Sequence, residues 1–200
     1  MPPVATVSYD TSSCMNKFTL DIIPESEADT LPAVFRNRVR RTPDAEAYRY
    51  HDGDGWRSLR WSETAHRLRY WRTALAAEGL APGDRVAVMA ANGPDWVLFD
   101  QAALSLGLIV VPLYMNDRAE NAAHVLEHSG ARLLLLESQD QWDRLSGQSD
   151  RLQGLERIVS LQTVRDGDPR LRSLEQWLPD QADDSLPDHP VRADDPATIV

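Results

Sequence analysis

Cysteine and lysine are almost missing from this 200-residue chain. Cys14 stands alone, so no internal disulfide and no thiolate metal cluster can form, which suits a reducing compartment. Lys17 is the single lysine among 21 basic side chains, a skew toward arginine that reads as genomic bias rather than chemistry. Positive charge is scarce overall. The net charge of −10 argues against a general nucleic-acid binder, which needs a basic face to displace counterions. No run of about 18 apolar residues occurs, as a membrane-spanning helix would need. The best stretch, 102–115, is short and interrupted by Gly107 and Pro112. The start, Met-Pro-Pro-Val, gives way to a polar mixture instead of a basic-then-apolar signal peptide. Missing too are G-x-G-x-x-G after a strand, G-x-x-x-x-G-K-[ST], a G-x-S-x-G elbow, C-x-x-C and any long repeat. A soluble, cytoplasmic α/β chain is expected.

What is present centres on 83–114. Val86 to Ala90 is an unbroken apolar run, as in a strand buried on both faces. Asn92-Gly93 breaks it, and Pro94 suits the first turn of a helix. Trp96, Phe99, Ala103 and Leu106 give that helix a buried face; Gly107 ends it, and Ile109 to Leu113 forms a second buried strand. Two apolar strands joined through a helix imply a parallel crossover.

Residues 1–28 lack periodicity and read as a loosely ordered leader, with one domain over 29–200. From Thr30, Leu31, Val34, Phe35 and Val39 lie at helical spacing, and Arg36, Arg38, Arg40 and Arg41 form a basic face. A solvated face is the simpler account of that run; contact with an anionic partner or a membrane surface is the other. Ala45–His51 and Leu59–Trp61 read as strands around the hairpin signal Asp52-Gly53-Asp54-Gly55. A calcium loop there is argued against by Trp56 and Arg57, which fall where a ligand and a glycine are needed. Ser62 is placed as the cap of a helix ending at Gly79, its stripe Trp61, Ala65, Leu68, Trp71 and Leu75 read as core. Asn116 or Asp117 caps a helix closing at Ser129-Gly130, and Leu133–Leu136 is a third strand. A helix over Gln139–Leu152, a strand over Ile158–Leu161 and a short helix over Leu171–Leu178 follow. An acidic loop, 181–195, leads into the new apolar run Ala197–Val200.

One motif has a catalytic look. His124, Glu127 and His128 form H-x-x-E-H on a helix, but zinc needs a third protein ligand, and nothing around Glu156 or Glu175 resembles a ligand helix. Asp54, Asp84 and Asp95 sit at turns and helix starts, where capping accounts for them. The residues alone therefore give a parallel α/β scaffold and no catalytic, cofactor-binding or metal-binding residue.

Several ordered motifs go further. They are Leu80-x-Pro82-Gly83-Asp84-Arg85-Val86-Ala87-Val88, then Asn92-x-Pro94-Asp95-Trp96, then Leu106-Gly107-x-x-Val110-Val111-Pro112-Leu113-Tyr114. Together with Pro43, the hairpin, the Trp61 helix, Glu120, Leu126 and Ser129-Gly130-Ala131, this set resembles the AMP-forming acyl-CoA synthetases of the adenylate-forming superfamily, over about residues 30–200. Val-Pro-Leu-Tyr and Asn-x-Pro-x-Trp look most like the long-chain fatty acid branch, from which Met115-Asn116-Asp117 departs. The resemblance implies the first subdomain of that fold, incomplete at the C-terminus. It also implies ATP, Mg2+ and coenzyme A as co-substrates and a fatty acid as substrate, with peripheral contact at the inner membrane or homo-oligomerisation left open. The family's Ser/Thr/Gly-rich loop and lysines would lie beyond Val200, and Lys17 cannot stand in for them. These 200 residues are accordingly expected to belong to a longer synthetase and to be inactive alone. The other readings are an acyl-AMP ligase, an aromatic or short-chain acid synthetase, or a non-catalytic module binding a partner through an exposed sheet edge.

Overall fold

The computed structural model describes residues 21–200. The Lys17 and Cys14 assignments fall outside them. Helix α1 (Leu31–Arg41) starts at Thr30, whose Oγ1 accepts from the Ala33 N–H. It is followed by an antiparallel hairpin of β1 (Glu46–His51) and β2 (Trp56–Arg60). Next come α2 (Trp61–Ala77), β3 (Arg85–Met89), α3 (Pro94–Ser105) and β4 (Ile109–Pro112). Then follow α4 (Ala119–Ser129), β5 (Ala131–Leu136), α5 (Gln139–Ser146), β6 (Arg157–Ser160), β7 (Leu171–Ser173) and α6 (Leu174–Trp177).

Five strands form one all-parallel sheet in the order β4-β3-β5-β6-β7. Alternation along each strand sends successive side chains to opposite faces, and the two faces have separate cores. Val86, Val88, Leu133 and Leu135 meet Leu68, Trp71 and Phe99 from α2 and α3. Ala87, Met89, Leu134 and Leu136 meet Ala123, Leu126, Trp142 and Leu145 from α4 and α5. The continuous apolar spelling of these strands is what coverage on both faces demands. Each Leu of 133–136 is fully buried, worth about 1.5–3 kcal/mol apiece relative to exposure.

The opening unit forms as expected, with Gly93 before the helix, Pro94 in its first turn and Gly107 at φ +74 after it. The aromatics of α2 are core: Trp71 is 2% exposed and meets Phe99 and Trp177 edge-on. Trp61 lies between Phe35 and Tyr48, pinning the hairpin to α1.

Several elements differ from the sequence reading. Helix α2 is capped at Arg60, not Ser62, because the Glu63 carboxylate reaches back to the Arg60 N–H at 2.7 Å. Strand β2 runs Trp56–Arg60, three residues earlier at its start and one at its end than the Leu59–Trp61 reading. Helix α4 starts after Arg118, with the Asp117 carboxylate accepting from the Arg118 N–H. The helix expected over Gln139–Leu152 stops at Ser146, where Gly147 intervenes, and a 3₁₀ turn covers Ser149–Arg151. The short helix expected from Leu171 is instead the fifth parallel strand followed by one turn of helix.

Residues 181–195 form no helix or strand but lie across the helices as a strap. Asp184 pairs with Arg69 at 2.7 Å, and Asp188 bridges Arg36 at 2.6 Å and Arg72 at 2.8 Å. Beyond the strap, Thr198 forms a parallel bridge to Val110, with the Val110 N–H on Ala197 O at 2.9 Å and the Ile199 N–H on Val110 O at 3.0 Å. The apolar run 197–200 thus begins a sixth line of pairing on the β4 edge.

Candidate functional site

In an open parallel sheet, ligands bind outside the carboxyl ends of the strands, at the point where strand order reverses. Here the chain steps from β3 out to β4 and returns to β5 on the other side of β3, so that point lies between β3 and β5. Its rim is made by the Ala91–Gly93 turn, Tyr114 after β4 and Glu137 after β5. The Glu137 carboxylate accepts from the Ala91 N–H at 2.7 Å, tying the two loops across the crevice. The Glu137 N–H donates to Oε1 of the buried Gln141 at 2.7 Å, and Arg144 reaches the Met115 carbonyl at 3.3 Å. Three strand ends are therefore held in one rim by α5.

The charge of this rim decides what it can do. Burial pushes the Asp95 carboxyl, in the first turn of α3, above its usual range; Arg67 opposes the shift and Glu137 adds to it. No group of three metal-ligating side chains occurs among the described residues.

The other motifs serve the frame. The Asp84 carboxylate accepts from the Ala81 N–H at 2.8 Å and from Arg132, which also grips Glu156 at 2.7 Å. Burial alone would raise the Asp84 carboxyl, but these donors outweigh it and hold it below its usual value. Arg85 donates to the carbonyls of Ser129, at 2.6 Å, and Gly130, at 3.0 Å, closing the end of α4. The rings of His124 and His128 lie tilted with centroids 5.7 Å apart on α4, Glu127 lies 3.8 Å from Arg151, and among the described residues no third ligand joins them. Asp52 gives Oδ1 to the N–H groups of Asp54 and Gly55 and Oδ2 to Arg57 at 2.6 Å. The Arg57 hydrogen bond, with those of Gly55 and Asp54, lowers its carboxyl to about 2. Both of its oxygens belong to the hairpin. In the basic run of α1, Arg38 and Arg41 pair with Asp21, and Arg36 pairs with Asp188.

A cavity of about 630 Å³ opens at the other end of the sheet, among Leu31, Val34, Gly107, His189 and Ala197. It abuts the amino ends of β3 and β4, away from the carboxyl-end rim.

A sequence model for AMP-binding enzymes matches residues 35–200. The chain belongs to that family. Among AMP-binding enzymes, it is 27% identical over 176 residues to a long-chain-fatty-acid–CoA ligase of Mycobacterium bovis, covering 87% of this chain and 29% of that one. It is 39% identical over 93 residues to a long-chain-fatty-acid–AMP ligase of Mycobacterium tuberculosis, covering 42% of this chain and 15% of the other. Coronafacic acid ligase from Pectobacterium brasiliense superposes with a TM-score of 0.70 at 16% identity, over 79% of this chain and 31% of that structure, a likeness of fold. The five-stranded parallel sheet is thus that of the N-terminal domain of adenylate-forming enzymes. The chain spans less than a third of the length of these relatives. No helix among the described residues is long and apolar enough to cross a membrane.

Proposed function

We propose that this chain is the N-terminal part of a fatty acid–CoA ligase. The whole enzyme would join a fatty acid carboxylate to the α-phosphate of ATP, releasing pyrophosphate, and then pass the acyl group from AMP to the thiol of coenzyme A. The observation that carries the reading is the match over 87% of the chain to a long-chain-fatty-acid–CoA ligase. It is supported by the parallel sheet and by the Pro112-Leu113-Tyr114 exit from β4. The role assigned to this segment is mechanical: Glu137, Gln141 and Arg144 fix the rim against which the rest of the site is built. Stabilising charge developing on a transferring phosphoryl group takes cations and backbone N–H donors. We assign those to the remainder of the enzyme and assign no catalytic residue to these 200 positions. A cytoplasmic location belongs to the same proposal.

The stretch with 39% identity to a fatty-acid–AMP ligase favours a second reading, in which the reaction stops at the acyl-adenylate. One experiment separates them: pyrophosphate release from ATP by the full-length protein, with a panel of fatty acids, with and without coenzyme A. Acyl-CoA product supports the ligase; acyl-AMP that persists despite coenzyme A supports the second reading. Absence of fatty-acid-dependent pyrophosphate release overturns both. Residues 1–200 alone are expected to release none.

A further inference from the structure

A second, smaller pocket of about 300 Å³ lies where α1, α2 and α3 meet the strap. Its floor is apolar, with Phe35, Val39 and Leu68. Four arginines line it, Arg36, Arg40, Arg69 and Arg72, against a single lining acid, Asp188. Asp188 is shared between Arg36 and Arg72, and Arg69 is taken by Asp184 from outside the pocket. Among the described residues Arg40 meets no carboxylate and is held only by the Asn37 side-chain oxygen. Four cations thus face two carboxylates, a surplus of two positive charges on a protein whose net charge is −10.

One of the arginines that line it carries an unsatisfied atom. The Arg72 Nε–H is buried and has no partner among the described residues, although the far end of the same guanidinium holds Asp188, Leu186 O and Pro187 O. A buried donor left unpaired is destabilising, more so when the group is charged. Arginine stems lying over an apolar floor are common on helix surfaces. That accounts for the exposed guanidinium of Arg36, but not for a buried, unpaired N–H beside spare charge.

We propose that this pocket binds a small carboxylate with an apolar tail of medium length. The head takes the positive charge of Arg40 and Arg72, and the tail lies over Phe35, Val39 and Leu68. The cluster already accepts this head group, since Asp188 sits as a carboxylate between two of its guanidinium groups. The volume is at the small end of ligand pockets, which run from about 300 to 1,000 Å³, so a short tail fits where a long one would not. The inference rests on the lining alone and not on the ligase reading.

The test uses the full-length protein and octanoate bearing a photoreactive diazirine at its tail, with adducts located by peptide mass spectrometry. A label on α1, α2 or α3 that excess octanoate removes is expected. It should fall at least tenfold in Arg72→Gln, and likewise in Ala65→Leu, which fills the pocket wall while keeping every charge. Circular dichroism checks that each variant is folded. No saturable label on these helices overturns the proposal, as does equal labelling by the matching neutral alcohol. Competition by anionic phospholipid vesicles but not by octanoate also overturns it, making the arginines a membrane-facing surface. The position of the adduct is read and not turnover, so failure of the ligase reading leaves this test intact.

Discussion

At Gly107 the backbone turns through φ +74 directly beneath His189, and a Cβ added there would lie 2.5 Å from the ring Cδ2. The conformation and the close approach both exclude a larger residue. Gly107→Ala is expected to cost more than about 1 kcal/mol in urea denaturation. His189→Ala in the same background should recover the part due to the clash and leave the part due to φ; strictly additive effects would refute the coupling. Asp100 presents the opposite case, a charge the fold tolerates poorly. Burial in α3 raises its carboxyl, with the Gln101 side chain only partly opposing. The folded chain therefore holds that proton after the unfolded chain has lost it, so stability falls as pH rises from about 4 through the folded value. Asp100→Asn should be more stable than the parent at pH 7, with the difference vanishing below about pH 4; a constant offset at both would contradict the assignment. At this scale the sequence marks positions but not partners. Asp84 was legible as a turn residue, while Arg132, its main cation, lies 48 positions away in another strand.

Among the elements, the long apolar runs were readable because strands covered on both faces spell themselves continuously. The fifth strand was not. Leu171, Leu174 and Leu178 recur at helical spacing, and only pairing with Ile158–Ser160 makes 171–173 a strand. Its continuation is anchored by Glu78, which accepts from Trp177 Nε1 and Arg157 Nε, each at 2.8 Å. Glu78→Ala leaves both donors unpaired and should cost roughly 1.5–3 kcal/mol by chemical denaturation, with near-wild-type stability counting against the contact. The strap was legible as acidic and irregular but not as attached, because its arginine partners sit more than 100 residues earlier. Its ion pairs are largely exposed, so salt should loosen them. Cleavage within 181–195 by a protease at limiting dose should rise between about 0.05 and 0.5 M NaCl, and rise already at low salt in Asp188→Asn. Salt-independent cleavage would show that other contacts hold the strap.

For the molecule as a whole, composition and patterning identified a three-layer parallel α/β architecture, and the ordered Pro82-Gly83-Asp84-Arg85 and Asn92-x-Pro94 motifs pointed to its family. The rim at the β3/β5 crossing was not legible, since Glu137, Ala91 and Gln141 carry no motif and converge only through strand order. The pocket of arginines was half legible: the α1 run was visible, but Arg69 and Arg72 joined it only when α2 packed alongside. The pairing of Thr198 with Val110 has a consequence in time. During synthesis 88 residues separate Val110 from the segment that covers its strand. At about 5–20 residues per second, the β4 edge stands open for roughly 4–18 s. The nascent chain must therefore pass that interval with a bare, adhesive strand, where Pro112, which offers no N–H, already limits how far a stranger can pair.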